Sequence, residues 1–247
     1  MKIHICEDAK TLGMKAAEET ARLLIQVIEQ QGNARLLVST GASQFTLFEA
    51  LVGLPVAWEK VEMFHLDEYV GMSEDHPASF IRYLKERFTS KVPLKAAHFL
   101  NTADVAAMIG RATAEIRKAP VDVGLIGIGE NAHIAFNDPP ADFQDTAAYK
   151  IVQLDEACRR QQLREGWFAS MDDVPQTALT MTVHQIMLCR KIISAVPYRV
   201  KAEAILRTLT APDITEEVPA TMLRGHADWT LYLDKESASL LEGVELP

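Results

Sequence analysis

Residues 121–126, Val-Asp-Val-Gly-Leu-Ile, form a short apolar run rich in β-branched side chains, and Gly127 and Gly129 follow at once. A run of that kind reads as a strand buried on both faces. The two glycines let the chain leave it in a tight turn and let a ligand approach the backbone. The same unit, apolar strand then small-residue loop then helix, recurs along the chain. Strands are expected over 2–6, 34–39, 61–66, 121–126, 149–154, 191–196 and 228–233. Helices are expected over 11–31, 45–52, 79–88, 104–118, 158–168, 201–209 and 235–241, the first stopped by Gly32.

Strands and helices alternating through short connections predict an α/β protein with a three-layer, Rossmann-like, mostly parallel sheet and helices on both faces. No fixed-period repeat, low-complexity stretch or linker interrupts the pattern, so one domain is expected over residues 1–247. In such sheets ligands bind beyond the carboxyl ends of the strands. Thr40, Asp67, His133 and Lys201 each follow an expected strand, so one cleft can gather them.

The net charge of -9 comes with no basic cluster or tail, which argues against nucleic acid as a partner. An acidic chain can still bind an anionic metabolite where backbone amides and a few cations converge. Cys6, Cys158 and Cys189 are scattered without C-x-x-C spacing, which argues for a reducing compartment and against a disulfide framework. The amino terminus turns acidic too soon for a secretory signal, and no stretch approaches the length of a membrane span. A cytoplasmic location, with no membrane partner, is expected.

Four places in the chain carry candidate chemistry. Thr40, Gly41, Ala42 and Ser43 open a helix with small, hydroxyl-bearing residues, which suits either a phosphate cradle or an ordinary helix cap. No Gly-Lys-Ser/Thr follows, so this is not a P-loop. Asp67 and Glu68 are adjacent acids at a strand end, either solvated turn residues or a source of a base for a proton on carbon. His133 is followed by Asn137 and Asp138, and a carboxylate beside an imidazole can fix its tautomer and raise its basicity. A structural histidine is the alternative. Lys201 is either an exposed lysine or a second anchor for phosphate. A metal site from His65, Asp67 and His133 is rejected, because their spacing matches no ligand pattern.

Residues 64–71, Phe-His-Leu-Asp-Glu-Tyr-Val-Gly, are followed by His-Pro-Ala-Ser-Phe at 76–80. Together with Gly-Ile-Gly-Glu-Asn-Ala-His-Ile-Ala-Phe-Asn-Asp-Pro at 127–139, they resemble the glucosamine-6-phosphate deaminase/isomerase family. The resemblance runs over nearly the whole chain. It implies an enzyme that opens an amino-sugar phosphate ring and moves a proton between the first two carbons, so that the aldose becomes a ketose and ammonia leaves. By that resemblance Asp67 matches the proton-transfer base, His133 the ring-opening acid/base, and Asp138 a carboxylate that orients the histidine. Thr40, Gly41, Ala42, Ser43 and Lys201 match the phosphate cradle, and Arg164 matches a phosphate-binding arginine in a mobile lid.

The chain departs from the family pattern at five positions, one of them Asp138, where the better-known deaminases have Glu. Asn131 and Ala132 stand where Asp and then Gly are usual, so the expected catalytic set is Asp67, His133, Asp138 and Asn131, with a single acid beside the histidine. Asn131 also leaves it open whether ammonia is released or only isomerisation occurs. Ala42 and Gln44 stand where Gly and Pro are usual. No cofactor and no metal are expected, and the expected partner is a small-molecule sugar phosphate. Self-association into a homo-oligomer is left open, and neither a hexamer nor allostery is carried over. Two other readings remain: a 6-phosphogluconolactonase, which usually has Asp-Glu-Arg in place of residues 67–69, and a non-catalytic sugar-phosphate sensor.

Overall fold

A computed structural model describes residues 1–164 and 166–244. Seven parallel strands form the central sheet: β1 (Lys2–Cys6), β2 (Ala34–Val38), β3 (Val61–His65), β5 (Ala96–His98), β6 (Val123–Leu125), β9 (Lys191–Val196) and β10 (Trp229–Asp234). Their order across the sheet is β1-β10-β9-β6-β2-β3-β5, and every neighbouring pair is parallel. The chain builds outward from β2 through β3, then returns to lay β6 on the other side of β2. That reversal opens a crevice between the carboxyl ends of β2 and β6, the place where open α/β sheets hold ligands.

Side-chain alternation explains why both faces are covered. Leu36 and Val38 pack on one face with Ile193 and Ala195, while Leu37 packs on the other with Ile192 and Val196. The first face is covered by α1 (Ala9–Gln31), α2 (Phe45–Leu51) and α3 (Phe80–Leu84). The second is covered by α4 (Val105–Ile116), α6 (Val183–Met187) and α7 (Ala202–Thr210). Leu36, Leu37 and Val38 are each fully buried, and each such side chain contributes roughly 1.5–3 kcal/mol of apolar burial. This two-sided core is the rigid frame that positions the loops at the strand ends. Among the described residues, no helix is long and apolar enough to cross a membrane.

Four departures from the expected elements matter. Asp67 to Tyr69 is a strand, β4 (Asp67–Tyr69), and not a turn. It pairs antiparallel with β8 (Thr177–Met181), which in turn pairs antiparallel with β7 (Tyr149–Gln153), giving a second, three-stranded sheet. The helix expected over 79–88 divides into α3 and a π-helical turn, Lys85–Thr89. Residues 235–241 form turns instead of a closing helix, held by Asp234, whose Oδ1 accepts from the Ser237 N–H at 2.7 Å. The helix expected over 158–168 is α5 (Glu156–Arg164), and residue 165 lies outside the described residues.

Candidate active site

The cleft begins at the crevice between β2 and β6. The Ser39 N–H donates to the Leu125 carbonyl at 3.0 Å, and the Ser39 hydroxyl accepts from the Gly127 N–H at 3.2 Å. These two bonds lock the ends of the strands together. Gly41 then takes φ +102, a left-handed value that disfavours other residues, and a short 3-10 turn (Ala42–Gln44) leads into α2. Among the described residues, no turn or loop backbone bond uses the N–H of Thr40, Gly41, Ala42 or Ser43. The loop is held from behind instead. The Tyr83 hydroxyl donates to the Gly41 carbonyl at 2.9 Å, and the Gln44 amide donates to the Ser43 hydroxyl and to the Ala195 carbonyl at 3.0 and 3.1 Å. Gln44, one of the departures from the family pattern, is thus a buried tether between the loop and β9.

Lys201 closes the same end. It sits in the 3-10 turn Arg199–Lys201 ahead of α7 and is buried, not the exposed lysine its composition class favours. The turn is pinned where Tyr198, at φ +81, donates its N–H to the Asp234 carboxylate at 3.0 and 3.2 Å. The cleft has a volume of about 390 Å³ and takes in Thr40, Gly41, Ala42, Ser43, Asp67, Gly129, Arg164 and Lys201. Arg164 stands at the rim with its guanidinium paired to Glu130. The same ion pair also borders a second hollow, lined with Asn131, Glu156 and Arg160.

The two adjacent acids have different surroundings. Glu68 is committed to structure: it accepts from the Tyr69 N–H at 2.9 Å, the Ser79 hydroxyl at 3.0 Å and the Ile81 N–H at 2.9 Å, which anchors the start of α3. Asp67 is buried against the cleft. Burial pushes its carboxyl up to about 8, and the neighbouring Glu68 charge adds to the rise. His65, the other polar residue on this stretch, is wholly buried and pushed down to about 3 by burial; its Nδ1 accepts from the Leu100 N–H at 3.4 Å. It is a core histidine.

The loop at 127–138 curls against the small sheet. The Phe136 N–H donates to the Thr180 hydroxyl at 3.0 Å, and the Asn137 amide donates to the Ile134 and Met181 carbonyls at 2.8 and 2.9 Å. Asn137 is therefore a scaffold residue. Ala132 and Ala135 hold φ +69 and +52 within this curl. The His133 ring packs directly onto Gly129, where a Cβ would fall 2.2 Å from the ring atoms, so position 129 has no room for a side chain.

Behind Gly129, His133 Nδ1 lies 3.0 Å from Asp138 Oδ1, a charge contact without the alignment of a straight hydrogen bond. Asn131 does not reach the imidazole. Its Nδ2 donates to Asp138 Oδ1 at 2.9 Å, and its Oδ1 accepts from the His133 backbone N–H at 3.1 Å. Burial alone would raise Asp138. The His133 contact and charge, with the Asn131 amide, outweigh it and hold the carboxyl below its ordinary value. His133, Asp138 and Asn131 are not part of the cleft lining; the glycine loop lies between.

Several lining residues have no signal in the sequence. Gln161 and Gln162 are buried in α5 against the cleft, although the segment around them reads as a solvated polar helix. Phe136 and Trp167 supply apolar wall, and Tyr83 supports the loop from α3's continuation of the core. The small sheet, α5 and, for Tyr83, α3 bring them to the site.

An α/β fold with an amide-rich loop at its switch point, a buried acid in the cleft and a histidine–carboxylate pair behind it defines a protein built for a small anionic substrate and proton transfer. Residues 7–232 match the family described as glucosamine-6-phosphate isomerases/6-phosphogluconolactonase, and the chain belongs to that family. It is 35% identical over 239 residues to the glucosamine-6-phosphate deaminase of Exiguobacterium sibiricum, covering 94% of this chain and 93% of that protein. It is 32% identical to glucosamine-6-phosphate deaminase 1 of Bacillus subtilis, covering 97% and 99%. Among solved structures, a monomeric glucosamine-6-phosphate deaminase aligns with a TM-score of 0.87 and 31% identity over 97% of this chain and all of that one (100%). A 6-phosphogluconolactonase from Thermotoga maritima aligns with a TM-score of 0.79 at 15% identity, covering 95% and 99%, which shows a shared fold alone.

Proposed function

We propose that this chain is a glucosamine-6-phosphate deaminase, converting the amino-sugar phosphate to fructose 6-phosphate and ammonia. The observation that carries the reading is Asp67, a buried carboxyl with a raised pKa in the same cleft as the residues 40–43 loop and Lys201. The substrate phosphate sits on the backbone amides of that loop, with Lys201 supplying a cation and Arg164 a second one at the rim. Charge-assisted bonds of that kind are the strong ones, and they fix the sugar's direction along the cleft.

His133, packed behind the cleft-lining Gly129, exchanges a proton with the ring oxygen through a water, and the ring opens to the aldose. Asp138 holds the imidazole, and Asn131 holds Asp138. Asp67 then takes the proton from the second carbon; the electron pair left behind forms a double bond to the first carbon, and the carbonyl π pair moves onto its oxygen, which takes a proton from water. The same carboxyl returns its proton to the first carbon as the lone pair of the neutral amino group forms an imine at the second. Water adds there, and ammonia departs. A carboxyl titrating near neutrality is suited to both halves of this transfer, since it can hold and release a proton at working pH. The amino group at the second carbon, when protonated, brings a positive charge to Asp67 and favours its ionised form.

Ammonia and ketose release, measured side by side on glucosamine 6-phosphate, test the reading. Equal rates of both are expected, with no hydrolysis of 6-phosphogluconolactone by the same preparation. Ketose without ammonia would reduce the activity to isomerisation, and lactone hydrolysis alone would replace it.

A further inference from the structure

We propose that His133, Asp138 and Cys158 form a binding site for one thiophilic divalent cation, Zn2+ or Cd2+, whose occupancy switches the histidine–carboxylate pair off. One ligand atom from each residue lies within 4.8 Å of the other two. His133 and Asp138 come from the glycine loop at 127–138, and Cys158 comes from α5. Cys158 is a free, buried thiol whose nearest charged group in the cluster is Asp138. The three groups already face one another: His133 Nδ1 lies 3.0 Å from Asp138 Oδ1, the Cys158 thiol interacts with the Asp138 carboxylate, and neither His133 Nδ1 nor Asp138 Oδ2 has a well-aligned hydrogen bond. Buried polar atoms left so are costly, and a cation bound to them removes the cost.

The donor set selects the ion. One imidazole nitrogen, one carboxylate oxygen and one sulfur suit zinc or cadmium, whereas calcium and magnesium need a shell of oxygens. Zinc bonds of about 2.0–2.3 Å require the three ligand atoms to draw together by about 1 Å, with a water in the fourth position. Binding releases the thiol proton to solvent and takes the imidazole lone pair. The cation then holds the two groups that ring opening needs. Binding itself does not depend on the proposed deaminase activity; only the inhibition rests on that reading.

Chelator-stripped protein titrated with Cd2+ tests both parts. One equivalent is expected to bind with growth of an ultraviolet thiolate-to-cadmium charge-transfer band. Cys158→Ser should abolish the band and weaken binding at least ~10-fold, since loss of even an outer-shell partner of a metal costs that much. Cys6→Ser and Cys189→Ser should keep the band. Ammonia release should fall along the same titration, return with chelator, and resist cadmium in Cys158→Ser. No band in the wild-type protein, or a band that survives Cys158→Ser, overturns the site. Should Cys158→Ser fail to fold, Asp138→Asn is expected to keep the band but weaken binding, and unchanged affinity there overturns the site equally. A band that forms without inhibition keeps the cation site and overturns the role assigned to His133.

Discussion

At the end of the cleft formed by residues 40–43, the wall is backbone, delivered by the switch point of the parallel sheet. At the Asp67 end, it is buried side chains, delivered by β4 of the small antiparallel sheet and by the 127–138 loop. Backbone amides tolerate changes in the side chains around them. Ala42 leaves the amides in place, and Gln44 ties the turn to β9 through the Ala195 carbonyl. The other end has no such tolerance, because its chemistry depends on how each carboxyl is surrounded. Asp67 and Asp138 are both buried, yet one is pushed up and the other held down. Environments that drive two acids apart separate their roles, one to exchange a proton and one to stay charged.

Substitution of Asp67 is expected to have the largest effect. Asp67→Asn should lower turnover by ~10²–10⁴-fold while sugar-phosphate binding stays near wild type, because an amide cannot carry the proton. Relative to the wild type, the same variant should gain stability as pH rises. Burial raises Asp67 above its ordinary value of 3.8, so the native chain keeps a proton that the unfolded chain gives up. That contribution is fully present below about pH 4 and is lost as pH rises through about 8, at about 1.4 kcal/mol per pH unit of displacement. Denaturant midpoints of both proteins at pH 4 and pH 9 check it; a constant gap between them would contradict it.

At the cradle end, Lys201→Ala should weaken binding by about 10- to 150-fold, the equivalent of about 1.5–3 kcal/mol for a lost charge-assisted contact. The loss should fall on KM with phosphorylated sugar more than on kcat. An equal loss with a non-phosphorylated sugar would make the lysine structural.

Asn131→Asp probes the chemical end more gently. It sets a second carboxylate where an amide now donates to Asp138 at 2.9 Å, and like charges at that range share one proton. Activity should drop several-fold more at pH 6 than at pH 8, as a rate–pH profile would show. A uniform loss would mean that Asn131 serves only as a brace for the His133 backbone.

The difference between the ends also marks what the sequence makes legible. β-branched runs such as residues 191–196 declare central strands, since a strand buried on both faces needs apolar side chains throughout. The residues 40–43 loop, Asp67 and His133 are legible because each follows such a run. β4 is not, because Asp-Glu-Tyr carries charge that reads as a turn and becomes a strand only through pairing with β8. Gln161, Gln162 and Cys158 are equally hidden: a polar helix is buried here by a cleft, and no local pattern encodes that. Asn131 reads as a missing charge beside the histidine, but its bonds go to Asp138 and to the His133 backbone, which only three-dimensional contact reveals.

The smallest expected effect is at Ala132, which holds φ +69 where the family pattern has glycine. Ala132→Gly relieves left-handed strain of about 1–2 kcal/mol. It also gives up a buried methyl worth about 0.8 kcal/mol and frees the unfolded chain. The net change in a denaturant melt should stay within about 1 kcal/mol, with activity unchanged. A larger loss would show that the loop depends on this methyl for packing.

Exchange of the substrate's second-carbon hydrogen with deuterated solvent, followed as a function of pH under kcat/KM conditions, isolates the step assigned to Asp67. The expected exchange rises with pH through the neutral range and levels off near about 8, where the buried carboxyl ionises in the free protein. Exchange that is flat from pH 5 to pH 8, or that persists at the wild-type rate in Asp67→Asn, would contradict Asp67 as the proton carrier.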